Sequence, residues 1–175
     1  MSLAYNVNLW HGPTGTNDWY KAWATASYGA SFAPQIATIM QNYSMYAGRR
    51  KYELMDEQTY SVINYNEADT ALQQWTTLVN AAQSIYNQLP ANAQASFFEM
   101  ILHPALAGQT VYQIYIGAAK QNLYAMQGRT SANTWVQAVL NYAQTDASLT
   151  QEYNGLLDGY VISQTLPSIY FFESC

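Results

Sequence analysis

Charge is scarce in this sequence. Asp, Glu, Lys and Arg make up 10% of its 175 residues, against about 25% in typical soluble proteins. Six basic residues face eleven acidic ones, for a net charge of -5 at pH 7, and no basic helix face appears. The chain therefore lacks the positive field that holds a phosphate backbone, and no nucleic-acid partner is expected. Cysteine is nearly absent: the only one is the last residue, Cys175. That excludes an intrachain disulfide and a cysteine-based metal site, and leaves the redox compartment unread. A prenylation box would need its Cys four places from the end. The opening "MSLAYNVNLW" has neither the basic nor the apolar region of a secretory signal. No apolar run is long enough to span a bilayer, so no membrane partner is expected, and the localisation is left open. Histidine is also rare, at His11 and His103 alone.

Aromatic and amide chemistry fills the space. Half the residues are apolar, 16 are Tyr, and Trp and Phe contribute five each. The polar positions go mostly to Asn, Gln, Ser and Thr, which gives a neutral, hydrogen-bonding surface. A chain of this length is expected to form one domain, burying about 70% of the surface it exposes when unfolded.

The apolar residues recur at helical spacing. Ala68, Leu72, Trp75, Val79, Ala82, Tyr86 and Leu89 follow one another by steps of four and three, one stripe on one helix face. Asn66 reads as the N-cap of this helix with Asp69 in a variant capping box, and Pro90 stops it, so it spans about 66–89. Upstream, Asn17 or Asp18 can cap a first helix through Trp19, Trp23 and Ala26 that ends at Gly29. Ser31 can cap a second, through Ile36, Ile39, Met40 and Tyr43, ending near Ala47 and Gly48. The formal glycosylation site Asn42-Tyr43-Ser44 falls inside that helix. Downstream, about 91–127 reads as one long helix closed by Gly128, which Pro104 must kink or break because it lacks an amide proton. A last helix begins at Thr130 or Ser131 and carries Trp135, Val139, Tyr142, Leu149, Tyr153 and Leu156. The expected fold class is all-α, an up-and-down bundle of about five helices. It has one long loop over about 47–65, of the kind that is often functional, and an irregular C-terminal tail. Burial of Trp75, Val79, Trp135 and Val139 is expected from the stripes.

Few constellations carry chemistry. Glu99 and His103 are four apart, a spacing that could place both on one metal, but the other histidine lies far away and no metal or other cofactor is expected. No nucleophilic triad can be assembled. Asp56 and Glu57 are adjacent, and Glu67 and Asp69 decorate a helix start. Neither pair by itself flanks a glycosidic bond from opposite sides. No catalytic residue is assigned. The remaining cluster is Arg49, Arg50 and Lys51, half of all the positive charge in the chain. It has two readings. In one, the arginines pair with Glu53, Asp56 or Glu57 and fasten the loop to the bundle. In the other, a guanidinium fork at a rigid helix end receives a carboxylate from outside, which makes Arg49 and Arg50 candidate substrate-binding residues. Consecutive residues at a helix end diverge by about 100 degrees, so the two arginines are expected to divide these roles.

The same residues carry a resemblance. "YSMYAGRRKYELMDEQTYSVINYNEAD", "LPANAQASFF", "LYAMQGRTSANTW" and "YNGLLDG", in this order and at these separations, resemble the helical region of glycoside hydrolase family 115, the xylan alpha-1,2-glucuronidases. The likeness runs from Leu3 to Gly159. At the loop the family pattern is Asn-Gly-Arg-Arg-Lys-Pro-Glu, so Gly48, Arg49, Arg50, Lys51 and Glu53 agree while Ala47 and Tyr52 depart. The resemblance implies a helical accessory domain, 1–159, followed by a divergent tail at 160–175 that is not part of the fold. It places the catalytic carboxylates on a barrel domain upstream of this bundle. The implied reaction of the complete enzyme is hydrolysis, with inversion, of 4-O-methyl-glucuronic acid from glucuronoxylan. The implied partners are that barrel or an acidic xylan oligosaccharide, and complete fungal relatives are expected to be secreted. After Gly159 the family pattern gives way to "YVISQTLPSIYFFESC". Gly-Tyr-Val can be encoded with GTATGT, a common fungal splice donor, which points to a retained intron or a truncated gene. Two alternatives stand beside the enzyme-domain reading: a non-catalytic module that binds carbohydrate or protein, and a gene product without independent function.

Overall fold

A computed structural model of the chain describes residues 13–156. His11, Cys175 and the tail expected at 160–175 lie outside them. Helix α1, Pro13–Tyr28, begins with a proline, whose missing amide is no loss in a first turn. It therefore starts earlier than the Asn17 or Asp18 cap expected from sequence. It stops at Gly29, whose φ of +91° is a left-handed conformation open to glycine. Helix α2, Ala33–Ala47, follows Phe32, with no side-chain cap. The expected capping role of Ser31 is not used, and Pro34 in the first turn fixes the start instead.

Helix α3, Glu67–Tyr86, buries Ala68, Ala71, Trp75, Leu78, Val79, Ala82 and Ile85. This face is wider than the expected stripe, because α3 packs against α2 on one side and the next long helix on the other. Asn66 precedes it with a left-handed backbone and no side-chain cap. The expected capping box is absent because Asp69 is bound to Lys120 across the bundle. The last turn is closed by Gln94, whose Nε2 donates to the carbonyls of Tyr86 and Leu89 at 3.2 and 3.3 Å.

The long helix after Pro90 is continuous but changes pitch. Helix α4, Ala91–Phe97, runs into a π-turn, Phe98–Leu102, and then α5, His103–Met126. The π-turn is how the chain accommodates Pro104. The His103 amide donates to the Phe98 carbonyl, one residue further back than in an α-helix, and this widened bond is the last before Pro104, which has no amide to donate. Helix α5 ends in a left-handed Gly128, φ +67°, with the Arg129 amide donating to the Tyr124 carbonyl at 2.9 Å. Helix α6, Ala132–Asn154, completes the fold.

Consecutive helices pack on one another: α1 on α2, α2 on α3, α3 on α5 and α5 on α6. The described residues thus form an all-α, up-and-down bundle of five helical segments, counting α4 through α5 as one, and they include no strand. Its largest fully buried side chains are Trp75, Tyr112, Phe97, Ile36, Leu102 and Ile116. Trp75 and Val79 are buried as expected, but Trp135 and Val139 are only half-buried. The reason is position: α6 is an edge helix packed along α5, so only one flank of its stripe is covered. Val139 and Trp135 sit against Gly117, where a Cβ would lie 2.8 Å from Val139 Cγ2. Asn42 lies in the middle of α2.

Candidate functional site

Between Ala47 and Glu67 the chain leaves the bundle for an ordered loop with a single 3-10 turn, Tyr52–Leu54. The loop is held from below by aromatic rings. Trp75 of α3 lies fully buried, edge-on to Tyr43 and Tyr46 of α2 and tilted against Tyr112 of α5, with centroids 5.3–6.0 Å apart. Gly108 lets this indole lie directly on α5. Met55 is buried in the same core, and Tyr52, Tyr60 and Val62 pack against it.

A polar chain runs through the same rings. The Tyr112 hydroxyl donates to the Tyr46 carbonyl at 3.2 Å and meets the Tyr60 hydroxyl at 2.7 Å. Since the single Tyr112 proton is committed to the carbonyl, Tyr60 is the donor in the second bond. Burial pushes the Tyr60 phenol well above its ordinary pKa, and the hydrogen bond to Tyr112 adds to the effect. The Tyr52 phenol is pushed up still more, again first by burial. Both are neutral at any physiological pH, and they fix the loop to the bundle.

Above these rings lies an open groove of about 540 Å³ lined by Arg49, Arg50, Asp56, Gln58, Thr59, Tyr60 and Glu67. Its volume lies within the usual span of small-molecule sites, about 300–1,000 Å³. Arg49 rests its guanidinium 4.6 Å from the centre of the Tyr46 ring, a cation–π contact that orients it. Arg50 donates from Nε to the Leu54 carbonyl at 2.9 Å and closes the 3-10 turn. Arg50 therefore anchors the loop, but through a carbonyl and not through Glu53 or another acid as expected. Among the described residues, no carboxylate lies within 4.0 Å of either guanidinium.

The acids of the groove are already occupied. Asp56 Oδ1 accepts from Thr59 Oγ1 at 2.9 Å and from the Gln58 amide at 3.0 Å, while the Asp56 amide donates to Thr59 Oγ1. These bonds, that of Thr59 first, hold the Asp56 carboxyl below its ordinary pKa. Glu67 Oε2 accepts from the Ser61 amide at 2.8 Å. Both carboxylates build turns, and both guanidinium forks keep their Nη hydrogens for a ligand. Two cations that can chelate a carboxylate, ringed by hydroxyl, amide and carboxylate acceptors, suit a singly charged polyol. A polyanion would be repelled by Asp56 and Glu67, and a neutral sugar would leave the forks unused.

Sequence reasoning singled out Arg49 and Arg50, and the structure places both on the loop and along the groove. That reasoning missed Thr59, although Asp-x-x-Thr is a turn signal, and it missed the roles of Glu67 and Tyr60. The bond of Tyr60 to Tyr112 joins residues 52 apart and leaves no local trace. Glu99 lies in the π-turn and His103 begins α5. His103 is buried against the rings of Phe98 and Tyr153, at 5.8 and 4.5 Å. Among the described residues no three of His, Cys, Asp and Glu converge.

Fold and groove together define an all-α bundle that presents a ligand-sized polar groove on an ordered loop. Known proteins narrow this class. Residues 1–54 match the sequence model of glycosyl hydrolase family 115, a stretch that ends within the groove loop. The fold matches a solved structure of a family 115 4-O-methyl-alpha-glucuronidase with specificity for decorated arabinogalactans, at a TM-score of 0.71 and 21% sequence identity. That alignment covers 90% of this chain and 21% of the other, so the chain spans about a fifth of that enzyme's length. No curated protein matches. The resemblance to glycoside hydrolase family 115 thus holds at both levels, as a sequence signature at the start of the chain and as the fold of a portion of an alpha-glucuronidase.

Proposed function

We propose that the chain is the helical accessory domain of a xylan alpha-1,2-glucuronidase, whose complete form hydrolyses 4-O-methyl-glucuronic acid from glucuronoxylan. On this reading the chain is catalytically inactive alone, and its domain runs over 1–159 with 160–175 outside the fold. The observation that carries it is the loop in which the family signature ends, because that loop presents Arg49 and Arg50 with no acid paired to either among the described residues. In the complete enzyme these two residues receive a carboxylate, from the acidic sugar or from the barrel domain. The state of the two groove acids supports inactivity. An inverting glycosidase needs a proton donor of raised pKa and a base, about 6.5–9.5 Å apart across the sugar. Asp56 is held ionised by Thr59 and Gln58, and Glu67 is engaged with the Ser61 amide.

Incubation of the purified chain with glucuronoxylan, its aldouronic fragments and a glucuronylated arabinogalactan is expected to release no uronic acid above a blank. Calorimetric titration with glucuronic acid is expected to show weak binding that is lost in Arg49→Ala and Arg50→Ala. Turnover that disappears in Asp56→Asn or Glu67→Gln would overturn the accessory-domain reading. Binding of the acid that is unchanged in both arginine variants would remove the groove from it.

A further inference from the structure

Beside the groove stands a residue the fold does not use. Tyr65 is 100% exposed, and Ile63 near it is 71% exposed. Tyr65 and Asn66 have φ of 56° and 55°, the only described non-glycine residues with positive φ. Side chains on L residues avoid that region, and an aromatic residue held there needs its surroundings to hold it. They do. The turn beneath is pinned by the Ser61 amide on Glu67 Oε2, the Ala68 amide on the Ser61 carbonyl at 3.1 Å, and the Glu67 amide on the Asn64 carbonyl at 3.2 Å. Ser61 Oγ also accepts from the amides of Ile63 and Asn64. A rigid turn thus holds a phenol ring wholly in water. Tyr65 is two residues from Glu67, which lines the groove, so their Cα atoms are at most about 7 Å apart. The residue that carries the ring thus lies close to the edge of the groove.

We propose that Tyr65 is a stacking platform for a pyranose ring. It extends the Arg49–Arg50 groove so that the loop engages an acidic sugar together with the neutral sugar to which it is attached. The inference rests on the reading of the groove as a uronate site and adds a second subsite to it. An aromatic face offers flat apolar area to the C–H face of a sugar at little entropic cost, while its hydroxyl stays in water. The lining of the groove favours a glycan over a protein surface, since hydroxyl, amide and carboxylate groups around a concave site suit a polyol. The same surface would let the bundle bind a glycan without the catalytic domain.

Three probes test this on the purified chain by calorimetry: glucuronic acid, an aldouronic oligosaccharide carrying it on a neutral xylo-oligosaccharide, and that neutral oligosaccharide alone. The aldouronic oligosaccharide is expected to bind about three- to tenfold more tightly than the acid. Tyr65→Ala should erase that gain while leaving affinity for the acid unchanged, and Tyr65→Trp should keep it. Tyr65→Gly, which relieves the backbone strain and so keeps the turn folded, should erase it as well. A gain that survives in both Tyr65→Ala and Tyr65→Gly overturns the platform and leaves the arginine groove standing. Absence of binding by any probe overturns the groove and the platform together.

Discussion

Gly108 shows how one missing methyl group decides the centre of the molecule. A Cβ there would lie 2.4 and 2.5 Å from Cη2 and Cζ3 of Trp75 and 2.8 Å from the Tyr52 hydroxyl. The ring cannot retreat, since it is fully buried among Tyr43, Tyr46 and Tyr112. Alanine would gain about 1 kcal/mol of helix propensity, but overpacking a rigid core costs about 1–3 kcal/mol, and here the obstacle is an aromatic ring braced on several sides. Gly108→Ala is therefore expected to lower the thermal midpoint by about 3–8 °C. The double variant Gly108→Ala, Trp75→Phe should lose less than the sum of its parts, because the smaller ring vacates the contested space. Additive losses in a double-mutant cycle would show that the contact is not where the energy lies. Gly117 differs, because the nearest atom there is the end of the half-buried Val139 side chain.

The elements differ in how far sequence alone reveals them. Helices α1, α3 and α5 follow from spacing and stop signals, since Gly29, Pro90 and Gly128 act through local sterics that any reader of the chain can apply. The loop was legible as a long non-helical stretch with two arginines. Its construction was not, because Tyr112 and Trp75 hold it from other helices, and a contact across the fold has no signature in local spacing. The π-turn lies between these cases: Pro104 announces a disturbance, and only the packed structure shows that it is absorbed by widening the preceding turn. His103, next to that turn, gives the element a pH dependence. Burial against Phe98 and Tyr153 lowers its pKa below the ordinary 6.5. The unfolded chain therefore takes up a proton at a higher pH than the folded one does, and stability rises with pH in the interval between the two values. Its full contribution is present above about pH 7.5 and is lost as pH falls through 6.5 toward the lower folded value. Thermal unfolding from pH 8 to pH 5 should show this slope, and His103→Phe should flatten it. An unchanged slope in the variant would assign the effect to other groups.

At the scale of the whole molecule, packing is a chain of neighbours with α3 and α5 at its centre and α1 and α6 at its edges. Lys120 ties the α6 edge in: its Nζ is bound to Asp69 of α3 and lies 4.7 Å from the centre of the Trp135 ring of α6. Such an array closes its core among its own helices. Every member of the main buried cluster, from Ala24 to Ile116, lies in the stretch of chain that starts with α1 and ends with α5, and Tyr153 and Leu156 pack against it from the end of α6. On the proposed reading the domain runs to Gly159, three residues after Leu156, and residues 160–175 lie outside it. Their removal is accordingly expected to leave the thermal midpoint unchanged or slightly raised, with the same affinity for glucuronic acid at the arginine groove. A fall of more than about 5 °C, on the order of 2 kcal/mol for a domain of this size, would mean that this segment covers apolar surface. The exposed side chains of α6, Val136 at 44% and Leu140 at 58%, are where that cover would be sought, by substituting each with Gln in the full chain and asking whether the effect of the deletion disappears.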